Sequence, residues 1–231
     1  MKLALMQPYL FPYIGYYQLA YHSDFFLFYD DVTYIKGGYI NRNNILTKNG
    51  KHLFTLPIHK ASSFTLIKDL EYTDKTGKLL STICQNYSKA PFFDEVFPII
   101  EKVICYKDRS VSKISALSII EVFKYLGLDF KFDFTSNIDY ERDKSAKEKI
   151  YNLCHIYNCN NYVNTLGGVS LYDKEEFKNE GISLNFIEFC ADEYYQFNNK
   201  DSFISHLSII DVMMNESKEN IISMIEKNIL K

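Results

Sequence analysis

Two prolines four residues apart, placed directly after a short apolar run, constrain this chain more than any other feature. Leu3 to Met6 has the length and apolarity of a buried strand. Gln7-Pro8-Tyr9-Leu10-Phe11-Pro12 then neither continues a ladder nor winds into a helix, because each proline lacks an N–H and fixes φ. Pro12 suits the first turn of a helix, which predicts a helix over 13–21. Asp24 to Tyr29 gives a second buried strand, ending in the acidic pair Asp30-Asp31. Strand, loop, helix and strand in that order predict a βαβ-like unit. The expected class is α/β, with an open, mostly parallel Rossmann-like sheet and a helical subdomain.

The rest of the chain extends this pattern. Gly37-Gly38 and Asn41-Arg42-Asn43-Asn44 read as a polar loop before a strand at His52 to Leu56, which Pro57 stops. Phe64 to Tyr72 reads as a half-exposed strand. Ser110 is positioned to cap a helix carrying Val111, Ile114, Leu117, Ile120 and Phe123 on one face, with Gly127 beyond its end. Asp129 to Phe134 returns as a strand, and Ala146, Ile150, Leu153, Cys154 and Tyr157 mark another helical face. A strand at Asn161 to Asn164 leads into Gly167-Gly168; a helix near Lys174 precedes a strand at Ser183 to Phe189. A last helix from near Ser217 is expected to bury Ile221, Ile225 and Ile229. No repeat or long linker interrupts the chain. The expectation is a single α/β domain over 1–231 with a helical insertion at about 74–127.

Composition narrows the class of function. A net charge of -3 gives no electrostatic case for nucleic acid or an anionic membrane as the main partner. The 19 Tyr and 18 Phe, without any Trp, suit a sugar- or nucleotide-binding cleft, and equally the codon bias of an AT-rich genome. Five cysteines, an odd count without a CxxC pair, point to free thiols in a reducing compartment. The N-terminus shows no signal-peptide pattern and no stretch reaches membrane-spanning length. A cytoplasmic location is expected.

Four places carry candidate chemistry. The loop Gln7 to Gly15 follows the first strand, where open α/β sheets bind ligands. Within it, Tyr13-Ile14-Gly15-Tyr16 has the spacing of the His-x-Gly-His motif of nucleotidyltransferases, with tyrosines that donate hydrogen bonds but carry no charge. Asp30 and Asp31, pointing to opposite faces, offer a base, a hydroxyl anchor or a cation ligand. Lys36, Asn41, Arg42 and Asn43 join cations suited to phosphate with amides suited to sugar hydroxyls. His206, Ser208 and Asp211 have triad residue types. They lie within six residues, however, so a helix cap by Ser208 with Asp211 in the first turn is the better reading. The five histidines show no metal-ligand spacing, and no metal site is expected.

These motifs, in order, resemble the WbqC-like protein family. The resemblance rests on Gln7-Pro8-Tyr9-Leu10-Phe11-Pro12-Tyr13-Ile14-Gly15-Tyr16, Asp30-Asp31-Val32 with Tyr34-Ile35-Lys36, and Asn41-Arg42-Asn43. Tyr87-Ser88-Lys89-Ala90-Pro91, Gly167-Gly168 with Tyr172, and Leu207-Ser208-Ile209-Ile210-Asp211 add to it. Tyr39 stands where many relatives have Trp. The resemblance implies surface-polysaccharide (O-antigen or capsule) biosynthesis, with N-acyl or aminoacyl transfer, such as glycyl transfer, onto a nucleotide-linked amino sugar. On that reading Asp30 or Asp31 is the base or a hydroxyl anchor, Arg42 and Lys36 hold phosphates, Tyr13, Tyr16 and Asn43 orient the sugar, and Gln7 and Asn41 join them in binding substrate. An ATP-dependent ligase or nucleotidyltransferase relative, and a non-catalytic partner that holds a sugar intermediate, are the alternatives. The cofactor is left open, with ATP as the candidate. The assignment of the residue roles leans on the proline loop, the aspartates and the arginine-bearing asparagine loop converging on one pocket.

Overall fold

Strand β1 (Lys2–Met6) buries both of its faces, as the central strand of a parallel sheet must. The computed structural model describes residues 1–190, 192–197, 202–227 and 229–230. After β1 come α1 (Ile14–Tyr21), β2 (Phe25–Phe28), the hairpin β3 (Arg42–Thr47) and β4 (Gly50–Thr55), then α2 (Gly77–Tyr87), α3 (Phe93–Ile104) and α4 (Val111–Leu126). The chain continues through β5 (Phe132–Phe134), α5 (Ala146–Ile156), β6 (Asn161–Thr165), α6 (Lys174–Asn179) and β7 (Ser183–Glu188). It ends with α7 (Ile209–Asn215), α8 (Lys218–Glu226) and β8 (Ile229–Leu230).

The main sheet has the order β5-β2-β1-β6-β7-β8, parallel except for β8. Alternation along each strand sends side chains into two separate cores. Ala4, Phe26, Phe28 and Val163 enter one, with α1, α3, α4, α7 and α8. Leu3, Leu5, Leu27, Tyr162, Leu184 and Phe186 enter the other, with α5 and α6. The result is an α/β fold with helices on both faces of the sheet. Residues of α2, α3 and α4 belong to the same buried cluster as Ala4 and Phe28. No helix among the described residues is long and apolar enough to cross a membrane.

The expected helix signals operate as read. Ser110 accepts from the Lys113 N–H at the start of α4, and Gly127 ends it at φ 71°. Ser217 caps α8 where that helix was expected to start; the reciprocal capping box of Ser145 and Glu148 on α5 was not anticipated from the sequence. Three expectations are corrected. Asn41 to Asn44 is not a loop, since β3 starts at Arg42; Asn41 and Asn43 have polar side chains because each braces a neighbouring segment. Phe64 to Tyr72 is not a strand. It contains a 3-10 turn at Ile67–Asp69 and is stitched to its neighbours by isolated bridges such as Thr33 to Leu66. The last helix stops at Glu226, and Ile229 lies in β8.

Connectivity places β1 between β2 and β6, so the chain turns to one side after β1 and later returns to the other. The crevice beyond the carboxyl ends of such a pair is where open α/β sheets hold ligands. The proline loop lies at that end of β1.

Candidate functional site

Phe11 sits at the centre of the site, in a backbone conformation that phenylalanine seldom adopts. Its φ is 44°, in the left-handed region, and its side chain is fully buried. Such a residue costs about 1–3 kcal/mol and persists only when its surroundings over-determine it. Here its N–H donates to Ser118 Oγ on α4 at 2.8 Å. Its carbonyl accepts from Asn43 Nδ2 at 2.9 Å and from Ser208 Oγ at 2.6 Å. Backbone bonds add to these: Leu10 N–H to the Ile40 carbonyl, Ser208 N–H to that of Asn44, and Ile209 N–H to that of Pro12. The proline loop is thereby clamped between β3, α4 and the start of α7.

Beside this clamp opens a cavity of about 190 Å³, walled by Tyr9, Pro12, Tyr13, Tyr39, Asn43, Lys51 and His206. The Tyr13 ring lies 5.9 Å from the His206 ring and 5.1 Å, edge-on, from Phe189. Gly15 makes this packing possible, because a Cβ there would stand 2.5 Å from Tyr13 Cε2 and 2.7 Å from Phe189 Cδ2. Burial pushes the Tyr9 and Tyr13 hydroxyls above their ordinary range. Both therefore stay protonated near neutral pH, as donors and not as bases. His206 is exposed at the rim, in the left-handed region at φ 59°, with Nδ1 2.8 Å from Ser205 Oγ. Lys51 brings an exposed ammonium to the mouth.

The residues singled out from the sequence divide sharply. Tyr13, Asn43 and His206 line the cavity; the other candidates do not. Asp30 is buried and accepts from Ser112 Oγ at 2.8 Å and from the N–H and Oγ of Ser136 at 3.0 and 2.9 Å. Asp31 accepts from Thr135 Oγ1 at 2.6 Å, Tyr140 OH at 2.9 Å and Arg142 Nε at 2.8 Å. The two carboxylates thus fasten the end of β2 to residues 112 and 135–142, away from the cavity, and at least three protein donors already occupy each, so the expected convergence of all three segments on one pocket is not met. Arg42 turns its guanidinium to the Gly37 and Gly38 carbonyls, closing its own loop in place of gripping a phosphate. Lys36 is exposed outside the cavity, and Tyr16 is buried with its hydroxyl on the Gln7 carbonyl at 2.9 Å. Asn41 accepts from Tyr34 OH and donates to the Leu56 carbonyl.

A family model described as the WbqC-like protein family matches residues 7–223. The chain belongs to that family. The uncharacterized protein Rv1507c of Mycobacterium tuberculosis is 27% identical over 228 residues, covering 94% of this chain and 95% of that protein. No solved structure matches the chain.

In this WbqC-like chain three of the segments that carried the resemblance meet in space: the proline loop, Asn43 and Ser208 converge on Phe11. Ser208 is no nucleophile, because its hydroxyl donates to the buried Phe11 carbonyl and accepts from the Ile210 N–H as a helix cap. Asp211 is not its partner; it is buried and accepts from Tyr87 OH at 2.5 Å and Tyr194 OH at 2.6 Å. Four cavity residues have no site role assigned from the sequence, and His206 enters there only as a triad member. Tyr9 and Pro12 are in view within the proline loop and Tyr39 as the aromatic standing for Trp, whereas nothing in the local pattern marks Lys51.

Proposed function

We propose that this WbqC-like protein transfers an acyl or aminoacyl group to the amine of a nucleotide-linked amino sugar during surface-polysaccharide biosynthesis. The observation that supports this reading is the character of the cavity: three tyrosine rings, one imidazole and one ammonium around a space of about 190 Å³. Aromatic faces suit the C–H face of a sugar ring, and the Tyr9 and Tyr13 hydroxyls remain donors. Lys51 at the mouth pairs with the diphosphate. His206 accepts the proton as the sugar amine attacks the donor carbonyl. The new C–N bond forms, tyrosine hydroxyls stabilise the oxyanion, and the leaving group departs with its electron pair and the proton from His206. Such a transferase works in the cytoplasm, with its nucleotide-sugar substrate.

The test is mass spectrometry of the purified chain with UDP- and dTDP-linked amino sugars, supplied with ATP and glycine or with acyl donors. The expected result is a mass gain on the sugar that is lost in His206→Ala. Lys51→Ala should raise the KM for the nucleotide sugar on the order of tenfold. AMP or pyrophosphate released in step with product would make the enzyme a ligase. Sugar binding without any mass gain would end the transferase reading and leave a carrier of the sugar intermediate.

A further inference from the structure

The net charge of -3 conceals a strong asymmetry. Residues 32–68 hold six of the chain's 26 lysines and arginines and none of its 29 acidic residues. Arg42 is engaged with its own loop, but Lys36, Lys48, Lys51 and Lys60 are exposed. The same stretch carries four exposed apolar or aromatic side chains: Phe64 at 92%, Ile35 and Tyr39 at 53%, and Leu53 at 45%. These belong to adjoining pieces of one surface. Thr33 bridges Leu66 in antiparallel fashion and the Tyr34 N–H donates to the Thr65 carbonyl, so the register sets Ile35 opposite Phe64. The turn that follows is closed by the Gly38 N–H on the Ile35 carbonyl and by Arg42 on Gly38. It delivers Tyr39 to the cavity mouth beside Lys51, and Leu53 follows on the same side of β4.

We infer that this face docks on an anionic bilayer surface. Phe64 and Ile35 enter the interface from a paired loop tip, and the lysines meet headgroup phosphates. Exposed aromatic and aliphatic side chains among lysines, without a carboxylate in the stretch, match an interfacial membrane contact. Phe64, 92% exposed in the turn that the Thr65 N–H closes on the Ser62 carbonyl, suits shallow insertion better than burial against a folded partner. The cavity mouth then opens towards the bilayer. The inference does not depend on the proposed reaction, and vesicle binding is measured without turnover.

The full chain is tested by flotation with vesicles of phosphatidylcholine, and of phosphatidylcholine mixed with phosphatidylglycerol. Partition is expected onto the mixed vesicles only and should weaken as salt is added. Each charge removed weakens partition roughly fivefold, so Lys48→Glu with Lys60→Glu should reduce it by at least about 25-fold. Lys174→Glu with Lys178→Glu, on α6 outside the patch, should leave it unchanged. The chain has no Trp, so Phe64→Trp supplies a single reporter whose emission should shift to the blue with the mixed vesicles alone. Absence of flotation, indifference to the Lys48 and Lys60 reversals, or an unmoved indole emission in the Phe64→Trp variant would each overturn the inference and assign the patch to a protein partner.

Discussion

Asn43 Nδ2 holds the Phe11 carbonyl at 2.9 Å, tying the first strand of the hairpin to a buried residue with φ of 44°. The asparagine also accepts from the Asn44 N–H at 2.8 Å, so both ends of its amide are used. A side chain with sugar-binding chemistry is therefore committed to shaping the cavity wall. The strained turn it helps to hold sets the direction in which Tyr9, Pro12 and Tyr13 leave the loop.

Asn43→Ala should lower stability by about 1–3 kcal/mol, because the buried Phe11 carbonyl and the part-buried Asn44 N–H each lose a partner. Asn43→Asp should cost more, since it sets a carboxylate against a carbonyl in a buried site. Urea unfolding measures both. Wild-type midpoints in the two variants would show that Ser208 and Ser118 hold the turn without Asn43.

Asp31→Asn distinguishes a fastening from a base. The Asp31 side chain is 1% exposed and Arg142 41%, so the pair is only partly screened. The substitution removes the charge that Arg142 Nε, Tyr140 OH and Thr135 Oγ1 surround, and a loss of about 1–3 kcal/mol is expected. Affinity for the nucleotide sugar should not change. A variant of native stability that has lost turnover would return Asp31 to the chemistry.

Most of the framework was legible because its signals are local. The continuous apolar runs of β1 and β2, the cap at Ser110, the helix start at Ser217, and Gly127 all act within a few residues of themselves. Site roles were less legible, because a polar residue looks the same whether it faces a ligand or braces the backbone. Asn41, Arg42 and Asp30 have ligand-binding chemistry, yet their partners lie on the Leu56 carbonyl, the Gly38 carbonyl and Ser112. Only the fold supplies those partners. Lys51 shows the converse: an ordinary surface lysine becomes a cavity residue through the register of the hairpin.

Asp211 should make stability depend on pH. Burial raises its carboxyl above the ordinary value, against the pull of Tyr194, Tyr87 and Gln196 as donors. In the window above the ordinary Asp value, from about pH 4 upward, the folded chain then holds a proton that the unfolded chain has released. The contribution is fully present below that value and is lost as pH rises through the raised one. Asp211→Asn should flatten this part of the curve of denaturation midpoint against pH. An equal slope in wild type and variant would place the titrating group elsewhere.

Gly15→Ala separates ligand binding from stability. Gly15 lies in α1, where alanine is favoured over glycine by about 1 kcal/mol. The atoms nearest the added methyl would belong to side chains, the rings of Tyr13 at 2.5 Å and Phe189 at 2.7 Å. Tyr13 is half-buried at the cavity wall, so its ring has room to swing away. The expected outcome is a thermal midpoint close to wild type, together with sugar-nucleotide affinity weakened on the order of tenfold. Calorimetric titration beside thermal unfolding reads both quantities. Retained affinity would remove the Tyr13 ring from the binding surface, whereas collapse of the fold would show that the Tyr13, Phe189 and His206 rings pack as core and not as a wall.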